Sequence, residues 1–225
     1  MKKIKIKTFN QPGTYHKSLG MESEDYNKVI VNGDYVYSIL SDGFGSTGVG
    51  RVAAETTVEA TAEFCFKNGE KFFTENERQV AKKLVFDVQQ KLAGSAHEIG
   101  HHPFDMQSTL VLLCVDTKSQ KYVTVHIGDG LISKTTDKKT EIISYPENGV
   151  TKQYTYPVYD ENVFKHLRLH SGKYEENTTF ISSSDGIFEN CFCTEEYCGI
   201  IGGKLSNPIA SIEKKDDCCY NIIEI

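Results

Sequence analysis

Three apolar stretches of this chain each end in an aspartate beside glycine, and that repetition limits what the chain can become. Residues 35–40 run into Ser41-Asp42-Gly43-Phe44-Gly45-Ser46, residues 122–127 into Gly128-Asp129-Gly130, and residues 178–184 into Asp185-Gly186. Short apolar runs rich in β-branched and aromatic residues read as strands. A strand that stops at Asp-Gly leaves a carboxylate and an unshielded glycine carbonyl at a sheet edge, facing whatever the next loop encloses. Each Asp-Gly alone is an ordinary turn. Three delivered to one edge would gather the hard oxygen donors that suit Mg²⁺ or Mn²⁺.

The rest of the chain supplies context for those ends. Residues 2–9 alternate Ile and Lys as a first strand, turned by Gln11-Pro12-Gly13, and a polar loop over 14–27 carries His16, Gly20, Glu24 and Asp25. Asn32-Gly33 is a hairpin signal between strands at 28–31 and 35–40. Counting outward from that turn sets Glu24-Asp25 almost opposite Asp42; a solvated turn is the alternative for this acidic pair. From Val49, Val52, Ala53, Thr56, Ala60 and Phe64 mark one face of a helix and Arg51, Glu55, Glu59 and Glu63 the other. A second helix spans 75–99, with Val80, Leu84, Val88 and Leu92 on one stripe and Gly100 and Pro103 ending it. Strands follow at 108–115, 122–127, 131–134 and 141–144, then irregular strands and loops over 145–176. A strand at 178–184, a short helix at 187–191, a helix at 206–214 and a last strand at 220–225 complete the reading.

No Pro/Gly/Ser-rich linker divides the 225 residues, so one domain over 1–225 is expected. A net charge of -6 leaves no basic surplus to bind nucleic acid or an anionic membrane broadly. The basic N-terminus lacks the apolar core of a signal peptide, and the 7 cysteines then imply reduced thiols in the cytoplasm.

Taken in order, Glu24-Asp25, Asp42-Gly43, Gln107-Ser108-Thr109, Gly128-Asp129-Gly130, Ser184-Asp185-Gly186 with Glu189, and Asp216-Asp217 resemble the motifs of the type-2C metal-dependent protein serine/threonine phosphatases. The compact bacterial branch is the nearest, and the likeness spans nearly the whole chain. It implies an α+β fold: a four-layer α-β-β-α sandwich of two mainly antiparallel sheets flanked by helices, with metals in a cleft at one end. It also implies hydrolysis of phosphoserine and phosphothreonine by a water bridging two Mn²⁺ or Mg²⁺ ions, whose charge makes hydroxide available near neutral pH. Carried over, Asp42 would bridge the ions, with Gly43 (through its carbonyl) and Glu24 on one, and Asp185 and Asp216 on the other, some through water; the register decides between Asp216, which is favoured, and Asp217. Asp25 would support them, and Asp129 with Glu189 would hold a third, weaker ion. The implied partners are a phosphoprotein substrate and a cognate Ser/Thr kinase, with no nucleic acid or membrane, and the chain a monomer.

The departures bear on mechanism. The family often places His after the first Asp-Gly as acid toward the leaving group; Phe44 stands there, leaving His16 or a water on the metal to serve. An arginine that grips substrate phosphate is replaced by Gly20. Two other functions compete. His97-Glu98-Ile99-Gly100-His101 spells a zinc-protease motif, although Gly100 weakens the helix it needs, and a helix end is the simpler reading. A catalytically silent, phosphoprotein-binding domain is the second, set against the retention of Asp42, Asp185 and Asp216. Cys191, Cys193, Cys198, Cys218 and Cys219 contain no Cys-x-x-Cys pair and read as scattered thiols.

Overall fold

The computed structural model describes residues 4–137, 139–149, 154–187, 200–201, 204–205 and 216–225. Strands β1 (Lys5–Gln11), β2 (Tyr26–Asn32), β3 (Tyr35–Ser41), β4 (Leu110–Asp116) and β5 (Lys121–Ile127) alternate with helices α1 (Thr14–Ser18), α2 (Gly50–Asn68), α3 (Lys71–Thr74) and α4 (Glu77–Ile99). Then come β6 (Leu131–Thr135), β7 (Thr140–Ser144), α5 (Val163–His166), β8 (Arg168–Lys173), β9 (Thr179–Ser183), the short β10 (Ile200–Ile201) and β11 (Lys204–Leu205), and β12 (Cys218–Glu224). One sheet has the order β2-β3-β4-β5-β8 and the other β1-β12-β9-β6-β7, with antiparallel pairing throughout. This is the α+β sandwich expected of the sequence. The helices expected at 206–214 and, apart from its first residue Ile187, at 187–191 lie outside the described residues.

The central strand shows why the core forms here. Leu110, Leu112 and Cys114 of β4 pack toward α2 and α4, while Val111, Leu113 and Val115 pack toward the second sheet. Both faces are buried, so the strand is an unbroken apolar run rather than an alternation. Helix α4 buries the anticipated stripe of Val80, Leu84, Val88 and Leu92 and begins at Asn76, whose side chain accepts the Gln79 amide at 3.1 Å. In α2 the buried face is turned from the expected one. Ala53, Ala60 and Phe64 are buried as expected, but Val52 is 37 % exposed, and Thr57 and Val58 join the core in its place. The small Ala53 and Ala60 let α2 sit close against its neighbours, which outweighs the larger apolar surface of Val52.

Two further segments differ from the expectation. The polar loop at 14–27 contains α1, and the irregular stretch at 145–176 contains α5 and β8. Neither carries an apolar period long enough to announce itself; α1 buries no residue. The protease motif is corrected here. Helix α4 stops at Ile99, Gly100 caps it in the left-handed region at φ 75, and His101 lies beyond the helix against Asp105 at 3.5 Å. His97 and His101 therefore do not share a helix face, and the zinc reading loses its geometry.

Between the sheets runs a buried polar seam. Asn221 of β12 donates to the Ser38 hydroxyl at 3.1 Å and the Ile39 carbonyl at 3.0 Å, and accepts from Asn27 at 2.8 Å. Ser38 in turn donates to Ser182 of β9 at 3.2 Å. Such a network is satisfied in only one sliding position of the two sheets. Replacing Asn221 with Ala should destabilise the fold by about 1–3 kcal/mol, because the partner groups stay buried and unpaired; urea unfolding measures this.

Candidate metal centre

The strand ends meet at one edge of the sandwich. Tyr26 pairs with Ser41, so the next step outward sets Asp25 opposite Asp42. Leu131 pairs with Ser183 in the other sheet, and two steps outward set Asp129 opposite Asp185. Tyr220 pairs with Ser183, which carries Asp216-Asp217 to the same edge. Six aspartates from both sheets thus converge through backbone pairing.

Local backbone contacts hold the first of these ends. Asp42 accepts the Thr109 amide through its carbonyl at 2.9 Å and donates its own amide to the Thr109 hydroxyl at 2.9 Å. Gly43 bridges to Ser108, and a side chain on Gly43 would drive into the Gly50 carbonyl at the start of α2. Arg51, one residue on, donates to the carbonyls of Ser23 and Asp25 at 2.9 and 2.7 Å and lies over the Tyr26 ring at 4.7 Å. It clamps the acidic segment from outside.

Crowding sets the electrostatics. Burial, then repulsion from Asp25, Asp185, Asp129 and Asp216, drives the Asp42 carboxyl well above its usual range. Burial pushes Asp25 up to about 7 and Asp129 up to about 6. Asp185 is raised well above its usual value by burial and by Asp129, Asp216 and Asp25, and Asp216 is raised mainly by burial. The Asp25 Oδ2 and Asp129 Oδ1 atoms are buried with no hydrogen-bond partner. Orphaned, mutually repelling carboxylate oxygens fit a divalent cation. Among the described residues, no three His, Cys, Asp or Glu side chains gather closely enough to hold an ion as they stand.

His16 faces this cluster from α1. Its Nδ1–H donates to the two Asp217 oxygens at 2.8 and 2.9 Å, and its Nε2 stands 3.6 Å from Glu24 Oε2. Burial lowers the imidazole pKa, but the Asp217 hydrogen bond and the charges of Asp217, Glu24 and Asp216 outweigh it, so the net shift is upward. Asp217 also accepts the Gly13 amide at 2.6 Å and the Glu24 amide at 2.5 Å. With both oxygens engaged, Asp217 anchors three residues, Gly13 and His16 at α1 and Glu24 beyond it. Asp216 accepts the Asp217 amide through one oxygen at 2.8 Å.

A family model described as protein phosphatase 2C matches residues 12–207. This chain belongs to the protein phosphatase 2C family. Comparison with curated proteins finds no match. Among solved structures, the S. agalactiae serine/threonine phosphatase superposes with a TM-score of 0.71 at 13% identity, covering 99% of this chain and 100% of that one. The Mycobacterium tuberculosis serine/threonine phosphatase PstP/Ppp gives 0.67 at 12% identity over 99% and 98%. RsbX in complex with magnesium gives 0.64 at 11% identity over 100% and 96%. Protein phosphatase 2C enzymes are metal-dependent phosphoprotein phosphatases.

Of the expected site residues, Glu24, Asp25, Asp42, Gly43, Asp129, Asp185, Asp216 and His16 all lie at this edge; Glu189 lies outside the described residues. Sequence reasoning overlooked the anchoring by Asp217 and the clamp by Arg51. Arg51 had an available signal, being the only cation in the first turn of α2, directly after the Asp-Gly loop.

Carboxyls with raised pKa values bind protons more tightly in the folded state than in the unfolded one. Their contribution to metal-free stability is complete below about pH 4 and is lost as pH rises to about 6 for Asp129 and about 7 for Asp25. Melting temperature in EDTA should therefore fall between about pH 5 and pH 8. Saturating Mn²⁺ should raise it most at the upper end, and Asp25→Asn should flatten the metal-free profile.

Proposed function

We propose that this protein hydrolyses phosphoserine and phosphothreonine esters of proteins at the acidic edge, with two divalent Mn²⁺ or Mg²⁺ ions and a third held more weakly. The observation carrying the reading is the convergence of Asp25, Asp42, Asp129, Asp185 and Asp216 on one edge, with two buried carboxylate oxygens lacking any protein partner. When bound, the ions supply the nucleophile at neutral pH and offset charge on the phosphate oxygens. Asp42, central to the repulsion, is suited to lie between two ions. Glu24 and the Gly43 carbonyl would hold one ion, Asp185 and Asp216 the other, and Asp129 the weaker third.

The residues of the chain account for the proton. Asp217 accepts from Nδ1 of His16 and so keeps the second ring nitrogen turned to the cleft. The raised pKa favours the doubly protonated ring, whose Nε2 proton can then be donated to the leaving alkoxide oxygen. This geometry supports His16 in the role that Phe44 cannot fill. Phosphate would be held by the ions, since Gly20 offers no cation.

Within the described residues no helix is long and apolar enough to cross a membrane. We further propose a phosphoprotein substrate paired with a serine/threonine kinase, and a monomeric, cytoplasmic protein.

Hydrolysis of an aryl phosphate and of a phosphothreonine peptide with added Mn²⁺ tests the reading. Wild type should be active, Asp42→Asn should lose nearly all activity, and His97→Ala should be unaffected. His16→Ala should lower kcat on the peptide by about 10²-fold or more while sparing the aryl phosphate, whose leaving group needs no proton. An inactive wild type that still binds phosphopeptide would favour the silent domain instead.

A further inference from the structure

We infer that Arg168, on β8, is a positioning residue for Asp129 and governs the weaker ion site, an inference that rests on the phosphatase reading above. The guanidinium donates through Nη2 to the Gly128 carbonyl and through Nη1 to the Tyr145 carbonyl at 2.7 Å. It therefore ties the Gly128-Asp129-Gly130 turn to the segment that follows β7. The turn needs this support. Gly128 has φ 103, a backbone region that favours glycine, and a side chain there would meet Thr109.

The guanidinium is itself held. Its Nε lies 3.5 Å from Glu147 Oε2 with no hydrogen bond between them, and Glu147 Oε1 takes the Nδ1–H of His166 at 3.0 Å. The His166 ring stacks on Tyr156 at 3.4 Å between centroids and 11° between planes. Glu147 returns to the same turn, donating its amide to the Gly128 carbonyl at 3.0 Å. Two donors from different segments thus converge on one carbonyl, immediately before a carboxylate whose Oδ1 is buried and unpartnered. Arg168 does not hydrogen-bond that carboxylate. It fixes the peptide before it and places a positive charge near it, leaving the oxygen free for a ligand.

A lysine could keep the charge but could not span two carbonyls with a planar fork. The test is Mn²⁺ binding by calorimetry and by the electron paramagnetic resonance of bound Mn²⁺, on wild type, Arg168→Ala, Arg168→Lys, Glu147→Gln and Asp42→Asn. Both Arg168 variants should retain the tighter sites and weaken the weakest one by about 10- to 100-fold. In activity, the Mn²⁺ concentration for half-maximal rate should rise by a similar factor. Glu147→Gln, which only loosens the guanidinium, should fall between and serves if the Arg168 variants fail to fold. Unchanged stoichiometry and affinity in the folded variants, or full recovery in Arg168→Lys, overturns the inference. Unchanged binding in Asp42→Asn instead overturns the metal reading beneath it.

Discussion

Mutual repulsion among buried carboxylates is the constraint on which the rest of this structure depends. Asp42 feels Asp25, Asp185, Asp129 and Asp216 at once, each brought close by the backbone ladder rather than by attraction between side chains. Such an arrangement costs stability unless protons or cations offset it. Among the described residues, the cations that contact this cluster stand around its edge. Arg51 grips the carbonyls of Ser23 and Asp25, His16 leans on Asp217, and Arg168 holds the Gly128 carbonyl.

Keeping like charges together requires a rigid frame, and the frame is the pair of sheets. Their apolar facing surfaces, with Val111, Leu113 and Val115 against Phe180 and Ile223, supply adhesion but little register. The polar seam of Asn27, Asn221, Ser38 and Ser182 supplies it. A one-residue slip of any strand would turn its side chains to the opposite face and move its terminal aspartate off the edge. Fold and site thus rest on the same pairings.

Much of this was legible beforehand because it is local. The Asn32-Gly33 turn dictates the β2–β3 register, and counting from it places Asp25 against Asp42, as observed. The α4 stripe follows from its own period and its Asn76 and Gly100 caps. Segments without an apolar period were illegible: α1 buries nothing, and α5 with β8 lies among polar and tyrosine residues. His97-Glu98-Ile99-Gly100-His101 misled for the opposite reason. Its letters match a motif, but a left-handed Gly100 ends the helix that would give them a shared face.

The residues themselves determined the donors: which strands end in carboxylates, in what order, and that the donors are hard oxygens. Only the tertiary structure decided how each acid is employed. Asp216 and Asp217 are identical neighbours in sequence, yet Asp217 anchors Gly13, His16 and Glu24 while Asp216 shares the charge of the cluster. Nor could sequence spacing bring Arg168 to Gly128, forty positions away. Local propensity acts over a turn or a hairpin, whereas these contacts arise where strands from distant parts of the chain stop at a common edge.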